Sequence, residues 1–363
     1  MQRFFAVDDR IQARTPLVRC IRVGHAKVRL VADGPPHDAP AVEAAIEVLR
    51  QMLPVYLLIA LGALLRRVGI TKRENDDGIL HLVFTVMYPC FIIDKILGNE
   101  SVRDVSAVAW GIGLGFSIPV IGMALAWLVA SLLRYEHGTG KRTFALTAGI
   151  QNFGYTAIPV VELMWAGSGA LAMLFVHNLG VEIAIWSVGV MLISGRKEIP
   201  WRHLLNGPLV AVVLGLILVA LNWDGMREAA DGGEPVPGVL RRTMSWLGAG
   251  AFPVAIFTTG AVMMDLIGKE RPSWRATLGG VGVRLALIPA VMLVMARFLP
   301  SPDELKQVLI VQSAMPAAMT PILLAKLYGG RAAVAVEIVV ATTVVSMVTL
   351  PFVLLWGRIF VGF

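Results

Sequence analysis

From about residue 50 to the C-terminus, one apolar run follows another, separated by short charged or Pro/Gly-rich connections. A helix needs about 20 residues to cross ~30 Å of hydrocarbon. Runs of that length are expected at 50–69, 78–97, 106–133, 143–164, 169–193, 207–222, 239–267, 275–299, 304–327 and 332–356. The connections at 195–206 and 223–238 are too short to hold a soluble domain. Composition agrees, with 56% hydrophobic and 16% charged residues and a mean hydropathy of +0.72. A soluble domain is nearer a quarter charged, so a water-soluble enzyme is excluded. The fold expected is an all-α polytopic membrane protein of about ten transmembrane helices.

Residues 1–49 differ from the rest. They mix Arg, Asp and Pro without a period and lack the apolar core of a signal peptide. This segment reads as a disordered extension, or as a start placed too far upstream, with Met52 the natural alternative. Basic residues in short loops set orientation. Fifteen, among them Arg66, Arg134, Arg196, Arg275 and Arg331, fall on one side, against eight on the other. The first side is therefore expected in the cytoplasm of a cell with the protein in its plasma or inner membrane, both ends of the helical unit facing outward. The net charge of +7 fits lipid headgroups better than nucleic acid, since the basic residues stand at the ends of apolar runs.

Ten spans divide into 50–193 and 207–360, joined by a short cytoplasmic loop at 194–206. Prolines recur at corresponding helices: Pro89 with Pro253, Pro119 with Pro289, and Pro159 with Pro316 or Pro321. Five is odd, so the second set must cross in the opposite sense, giving two inverted five-helix repeats. Interrupted helices at matching places in such repeats point to a secondary transporter with a midplane site.

The fourth span carries Gln151-Asn152-Phe153-Gly154-Tyr155-Thr156-Ala157-Ile158-Pro159, and the ninth carries Gln312-Ser313-Ala314-Met315-Pro316-Ala317-Ala318-Met319-Thr320-Pro321. Gly154, Pro159, Pro316 and Pro321 are expected to break these helices. The freed backbone groups then need a protein-lined cavity, and half-helix N-termini favour an anion there. Candidate substrate ligands are Asn152, Gln151, Tyr155, Gln312 and Thr320. The alternative is a kinked packing helix, with Asn152 bonded to a neighbour and Ser313 and Thr320 bonded to their own helices.

The strings GVRLALIPAVM, VLIVQSAMPAAMTPILLAKLYGG and LPFVLLW resemble the last three helices of the auxin efflux carrier family, which includes the plant PIN-type carriers. LPVYLLIALGALLRRVGI and HLVFTVMYPCFI are similar to its first two helices, and Asn152–Pro159 to its fourth-helix crossover. The resemblance covers about 50–360. It implies crossing fourth and ninth helices, outward termini, and transport of small organic anions such as auxin-like acids or dicarboxylates, commonly by homodimers. Carried over by position, Asn152, Pro159, Pro316 and Pro321 match the crossover motifs. Gln151 and Ala317 depart from them, and the long cytoplasmic loop of the plant carriers is reduced here to 195–206. These departures weigh against auxin itself as the substrate and against phosphorylation control.

Ionisable residues within spans are candidate functional groups. Glu182 stands at the centre of the fifth span with Asn178 on its face and His177 beside it. It is either a proton-coupling carboxylate or a structural hydrogen-bond partner. Arg284 in the eighth span either attracts the anion or serves a structural pair. Other motifs carry less. Gly138-Thr139-Gly140-Lys141-Arg142-Thr143 has Tyr135 where a P-loop needs glycine and Arg142 where it needs a hydroxyl. Gly111-Ile112-Gly113-Leu114-Gly115 reads as a helix-packing face. Two cysteines and no HExxH or Cys/His cluster give no metal, cofactor or enzyme expectation. The function expected is a secondary active carrier of a small organic anion, working by alternating access. Its alternatives are a sodium-coupled symporter of the bile-acid carrier type and a membrane anion receptor that moves nothing.

Overall fold

The computed structural model describes residues 20–23, 26–29, 41–135, 138–154, 156–196, 206–221, 236–266 and 273–363. Apart from a short hairpin, β1 (Cys20–Val23) and β2 (Ala26–Arg29), the elements are helical. They run α1 (Ala41–Arg67), α2 (Arg73–Ile96), α3 (Val105–Leu132), α4 (Thr139–Gly149), α5 (Ala157–Met164), α6 (Ala170–Ser194) and α7 (Gly207–Ala220). Then come α8 (Val236–Ala249), α9 (Ala251–Leu266), α10 (Trp274–Phe298), α11 (Asp303–Ala314), α12 (Thr320–Leu327) and α13 (Ala332–Val361).

Among the described residues six helical stretches are long and apolar enough to cross a membrane: α2, α3, α6, the α8–α9 run from Gly238 to Asp265, α10 and α13. They coincide with six of the expected spans. Helix α1 starts at Ala41, ahead of the boundary that hydropathy draws near residue 50. Lipid offers no partner for backbone groups, so helices that satisfy them internally are the spanning solution. Leu128 of α3 and Val348, Phe352 and Trp356 of α13 project outward, as hydrocarbon contact requires, and so do Leu57 and Leu61 of α1. Trp274 stands exposed at the start of α10, the place of an interfacial anchor. Trp201 and Trp223 lie outside the described residues.

Helix ends and kinks follow the sequence. Asp104 accepts from Ser106 N–H to cap α3, and Asn206 accepts from Leu209 N–H to cap α7, each at 2.9 Å. Helices α2 and α10 widen into π turns at Val83–Met87 and Val283–Leu287, just before Pro89 and Pro289. Proline removes a donor and displaces the carbonyl four residues back, and a wide turn absorbs both effects.

Glycines bring the central helices together. A Cβ on Gly115 would stand 2.0 Å from the His177 carbonyl oxygen, and one on Gly180 would stand 2.2 Å from that of Ile112. Gly111 meets Val176 and Met173 of α6, whereas Gly113 faces open space. The packing face expected of the glycine run is therefore formed by Gly111 and Gly115, four residues apart, without Gly113. Helix α3 meets α4 in the same way, with Gly122 against Gly149. This fixes the height of the interruption that follows Gly149.

Candidate functional site: the crossover cavity

Helix α4 stops at Gly149 and its line resumes as α5 at Ala157; α11 stops at Ala314 and resumes as α12 at Thr320. The two interruptions cross as short extended segments. Asn152 N–H donates to Pro316 O at 2.7 Å, and Ala318 N–H donates to Ile150 O at 3.0 Å, around the bridged pair Gln151 and Ala317. Ala317 N–H is held by Thr342 Oγ1 at 3.1 Å. Backbone groups that lost helical partners thus satisfy one another. Pro159 and Pro321 lie in the first turns of α5 and α12, where the missing N–H costs nothing and their rings bar helix extension backwards. Pro316 stands within the interruption itself and supplies an acceptor.

A cavity of about 110 Å³ opens beside the crossing. Its polar lining comes from Asn152, Asn178, Glu182 and Thr320, with Gly154 at the start of α5. Apolar walls come from Phe84, Ile92, Phe175, Leu179 and Val212 among others. Tyr88 completes the wall, its hydroxyl 3.3 Å from where a Gly154 Cβ would stand. Neither Thr156 nor Met319 caps its helix by a side chain. Thr320, the first residue of α12, lines the cavity, and α5 starts three residues after the lining residue Gly154; a helix start without a side-chain cap favours a negative ligand nearby.

Each expected site residue has a definite place. Asn152 is buried, lines the cavity and donates from Nδ2 to Thr156 Oγ1 at 3.2 Å. Asn178 and Glu182, one turn apart on α6, both face the cavity. Asn178 Nδ2 donates to Phe153 O at 2.9 Å, bracing the interruption, while Glu182 Oε2 accepts from Trp186 Nε1 at 2.8 Å and Asn206 Nδ2 at 3.4 Å. Gln312 is fully buried outside the lining, where its Nε2 lies 3.3 Å from both Phe153 O and Asn178 Oδ1. Gln151 is also fully buried and not part of the lining, since extended backbone sends it to the opposite face from Asn152. His177 and Arg284 do not line the cavity either. Both are fully buried, and Arg284 Nη2 has the Met292 sulfur at 3.8 Å. Tyr155 lies outside the described residues.

Sequence reasoning missed the walls. Phe84 and Tyr88, one turn apart on α2, were legible only as apolar, and nothing in their spacing says which bundle they meet. Asn206, whose side chain both caps α7 and reaches Glu182, had a signal in the Asn-Gly-Pro that opens that helix.

Along α2 the surroundings differ at the two ends. Near Arg73 a wider recess of about 610 Å³ shares Phe84, Met319 and Thr320 with the cavity and reaches Lys326. Arg73 Nε pairs there with Asp265 at 2.8 Å, and Arg66 pairs with Asp76. Near Ile96, Lys95 Nζ meets Glu162 Oε1 of α5 at 2.7 Å, and Arg241 Nε meets Asp94 at 3.2 Å.

Comparison with known proteins gives this geometry a context. The family model described as "Membrane transport protein" matches residues 47–200 and 197–354. An uncharacterized transporter of Methanothermobacter thermautotrophicus is 25% identical over 316 residues, covering 84% of this chain and 96% of the relative. One of Methanocaldococcus jannaschii is 22% identical over 322 residues, covering 85% and 97%. Auxin efflux carrier component 7 of Arabidopsis thaliana is 29% identical over 162 residues, covering 43% of this chain and 25% of the plant protein. With a family model matched along both halves of the sequence and relatives aligned through nearly their whole length, the chain belongs to the membrane transport protein family, that of the auxin efflux carriers, and is a multi-pass membrane transporter.

Proposed function

We propose that this transporter is a secondary carrier of a small organic anion, which it holds at the crossover and releases by alternating access. The observation that carries the proposal is the reciprocal pair Asn152 N–H to Pro316 O and Ala318 N–H to Ile150 O. It leaves two eight-residue half-helices that start without side-chain caps, α12 at the cavity and α5 three residues beyond its lining. Such ends attract a carboxylate, and the cavity provides an apolar body pocket behind it. The symmetry of that bond pair, with the two-segment family match, supports a ten-helix arrangement of two inverted repeats.

Glu182 refines the substrate class. Two like charges cannot share a small desolvated cavity without a large penalty. An anionic substrate therefore fits beside Glu182 when that carboxyl holds a proton, which couples proton and anion movement. A second carboxylate on the substrate would meet apolar walls and Glu182. We therefore favour a monocarboxylate with a small apolar body over a dicarboxylate.

The test is uptake of labelled mono- and dicarboxylates by purified protein in liposomes, with sodium present or replaced by choline. Saturable movement of apolar monocarboxylates without sodium is expected. Strict sodium dependence would favour the symporter reading, and saturable binding with no movement of any acid would favour a receptor.

A further inference from the structure

The segment Gly138–Thr143, which fails as a P-loop, nonetheless borders a basic recess through Thr139 and Gly140. A recess of about 440 Å³ separate from the crossover is lined by Arg134, Arg275 and Arg331, with Thr139, Gly140 and Tyr135 between them. Ser273 completes it, and among the described residues no carboxylate belongs to the lining.

Three helices start here. Thr139 is the first residue of α4, Ser273 precedes α10, and Arg331 precedes α13; none of the three starts has a side-chain cap. Their first-turn amides and dipoles add to the guanidinium charge. Arg331 is anchored for this role: its N–H donates to Thr143 Oγ1 at 3.0 Å, and its guanidinium lies against Gly140, 3.5 Å from where a Cβ would stand. Arg275 is packed over the Trp274 ring at 5.6 Å. Among the described residues none of the three arginines has a carboxylate within salt-bridge distance.

Arg134 adds a separate signal. It ends α3 in the left-handed conformation (φ 56°), the one non-glycine residue to do so among those described. Tyr135 N–H to Ala130 O and Arg134 N–H to Ser131 O close a Schellman cap around it. Glycine is the favoured residue at that position, so an arginine there gives up backbone ease to place a charge in the recess. Among the described residues one opposing charge is close. Glu337 stands near enough to Tyr135 to help burial push that phenol up, while its carboxylate accepts from Thr277 Oγ1 at 2.5 Å.

We propose that this recess binds a phosphate group, through Arg134, Arg275, Arg331 and the α4, α10 and α13 N-termini. The group comes either from the headgroup of an anionic lipid or from a soluble phosphate compound. Among the described residues, three cations and three helix ends without side-chain caps outweigh the one engaged carboxylate. Four helix ends, including that of α3, would then be tied together by one ligand.

Delipidated full-length protein in detergent is titrated in separate arms with dioleoylphosphatidylglycerol, dioleoylphosphatidylcholine and inorganic pyrophosphate, and the thermal unfolding midpoint is followed. A saturable rise with phosphatidylglycerol alone supports a lipid source, and a rise with pyrophosphate supports a soluble one. Arg275→Gln with Arg331→Gln should remove the rise. Should that variant fold poorly, Arg134→Gly decides. It restores the favoured cap residue and should be at least as heat-stable without ligand, yet need about tenfold more ligand for half-saturation. No rise in any arm, or an undiminished response in the variants, would overturn the proposal.

Discussion

Asn152 and Gln151 are neighbours of similar chemistry with different fates. Asn152 faces the cavity and Gln151 is buried behind the crossing, because backbone that leaves a helix for an extended path alternates its side chains. Asn152→Ala removes a polar contact and little volume. We expect near-normal expression and substrate affinity about ten- to a hundredfold weaker, the equivalent of ~1.5–3 kcal/mol for a hydrogen bond to a charged group. Equilibrium binding of the best-transported acid measures this, and unchanged affinity would move the site elsewhere. Glu182→Gln keeps shape and fixes the neutral form, retaining an acceptor for Trp186 and Asn206. Exchange between equal substrate pools should persist, while accumulation driven by a pH gradient should be lost. A variant that still concentrates substrate along the gradient would make Glu182 structural.

Among elements, the interrupted helices were the most legible in sequence. Gly154, Pro159, Pro316 and Pro321 each forbid or weaken a regular helix, and two such clusters in corresponding spans already implied a meeting point. What the residues could not give was how the crossing is held. The hydrogen bonds of Asn152 and Ala318 join segments more than 160 residues apart in the chain, and the braces from Asn178 and Gln312 converge on a single backbone carbonyl. Helix α3 was legible in kind but not in detail. Its glycine run announced close packing, yet only Gly111 and Gly115 approach α6, since i and i+4 share a helix face and i+2 does not. Gly115→Ala should therefore cost about 1–3 kcal/mol through overpacking against the His177 backbone. Gly113→Ala, which meets open space, should be neutral or slightly stabilising. Thermal unfolding of the two variants separates them, and equal midpoints would refute the packing assignment.

For the whole molecule, the two ends of α2 carry the argument about movement. The recess near Arg73 and Lys326 shares residues with the crossover cavity, whereas at the other end Lys95 of α2 is paired with Glu162 of α5. That pair joins the long helix α2 to the half-helix α5 of the crossover. In the proposed cycle α2 and α5 must separate there before the cavity can face the Lys95 side. An ion pair this accessible contributes little to stability, so it is suited to break and re-form during turnover. Replacing both residues, Lys95→Cys with Glu162→Cys, and joining the thiols with a short bifunctional reagent should hold that end shut. Transport in liposomes should then stop and return on cleavage of the linker. Binding from the Arg73 side should continue, because the recess there shares Phe84, Met319 and Thr320 with the cavity and the link does not touch it. Transport that continues through the linked protein would mean that the opening movement lies elsewhere and that the Lys95–Glu162 contact is incidental to the cycle.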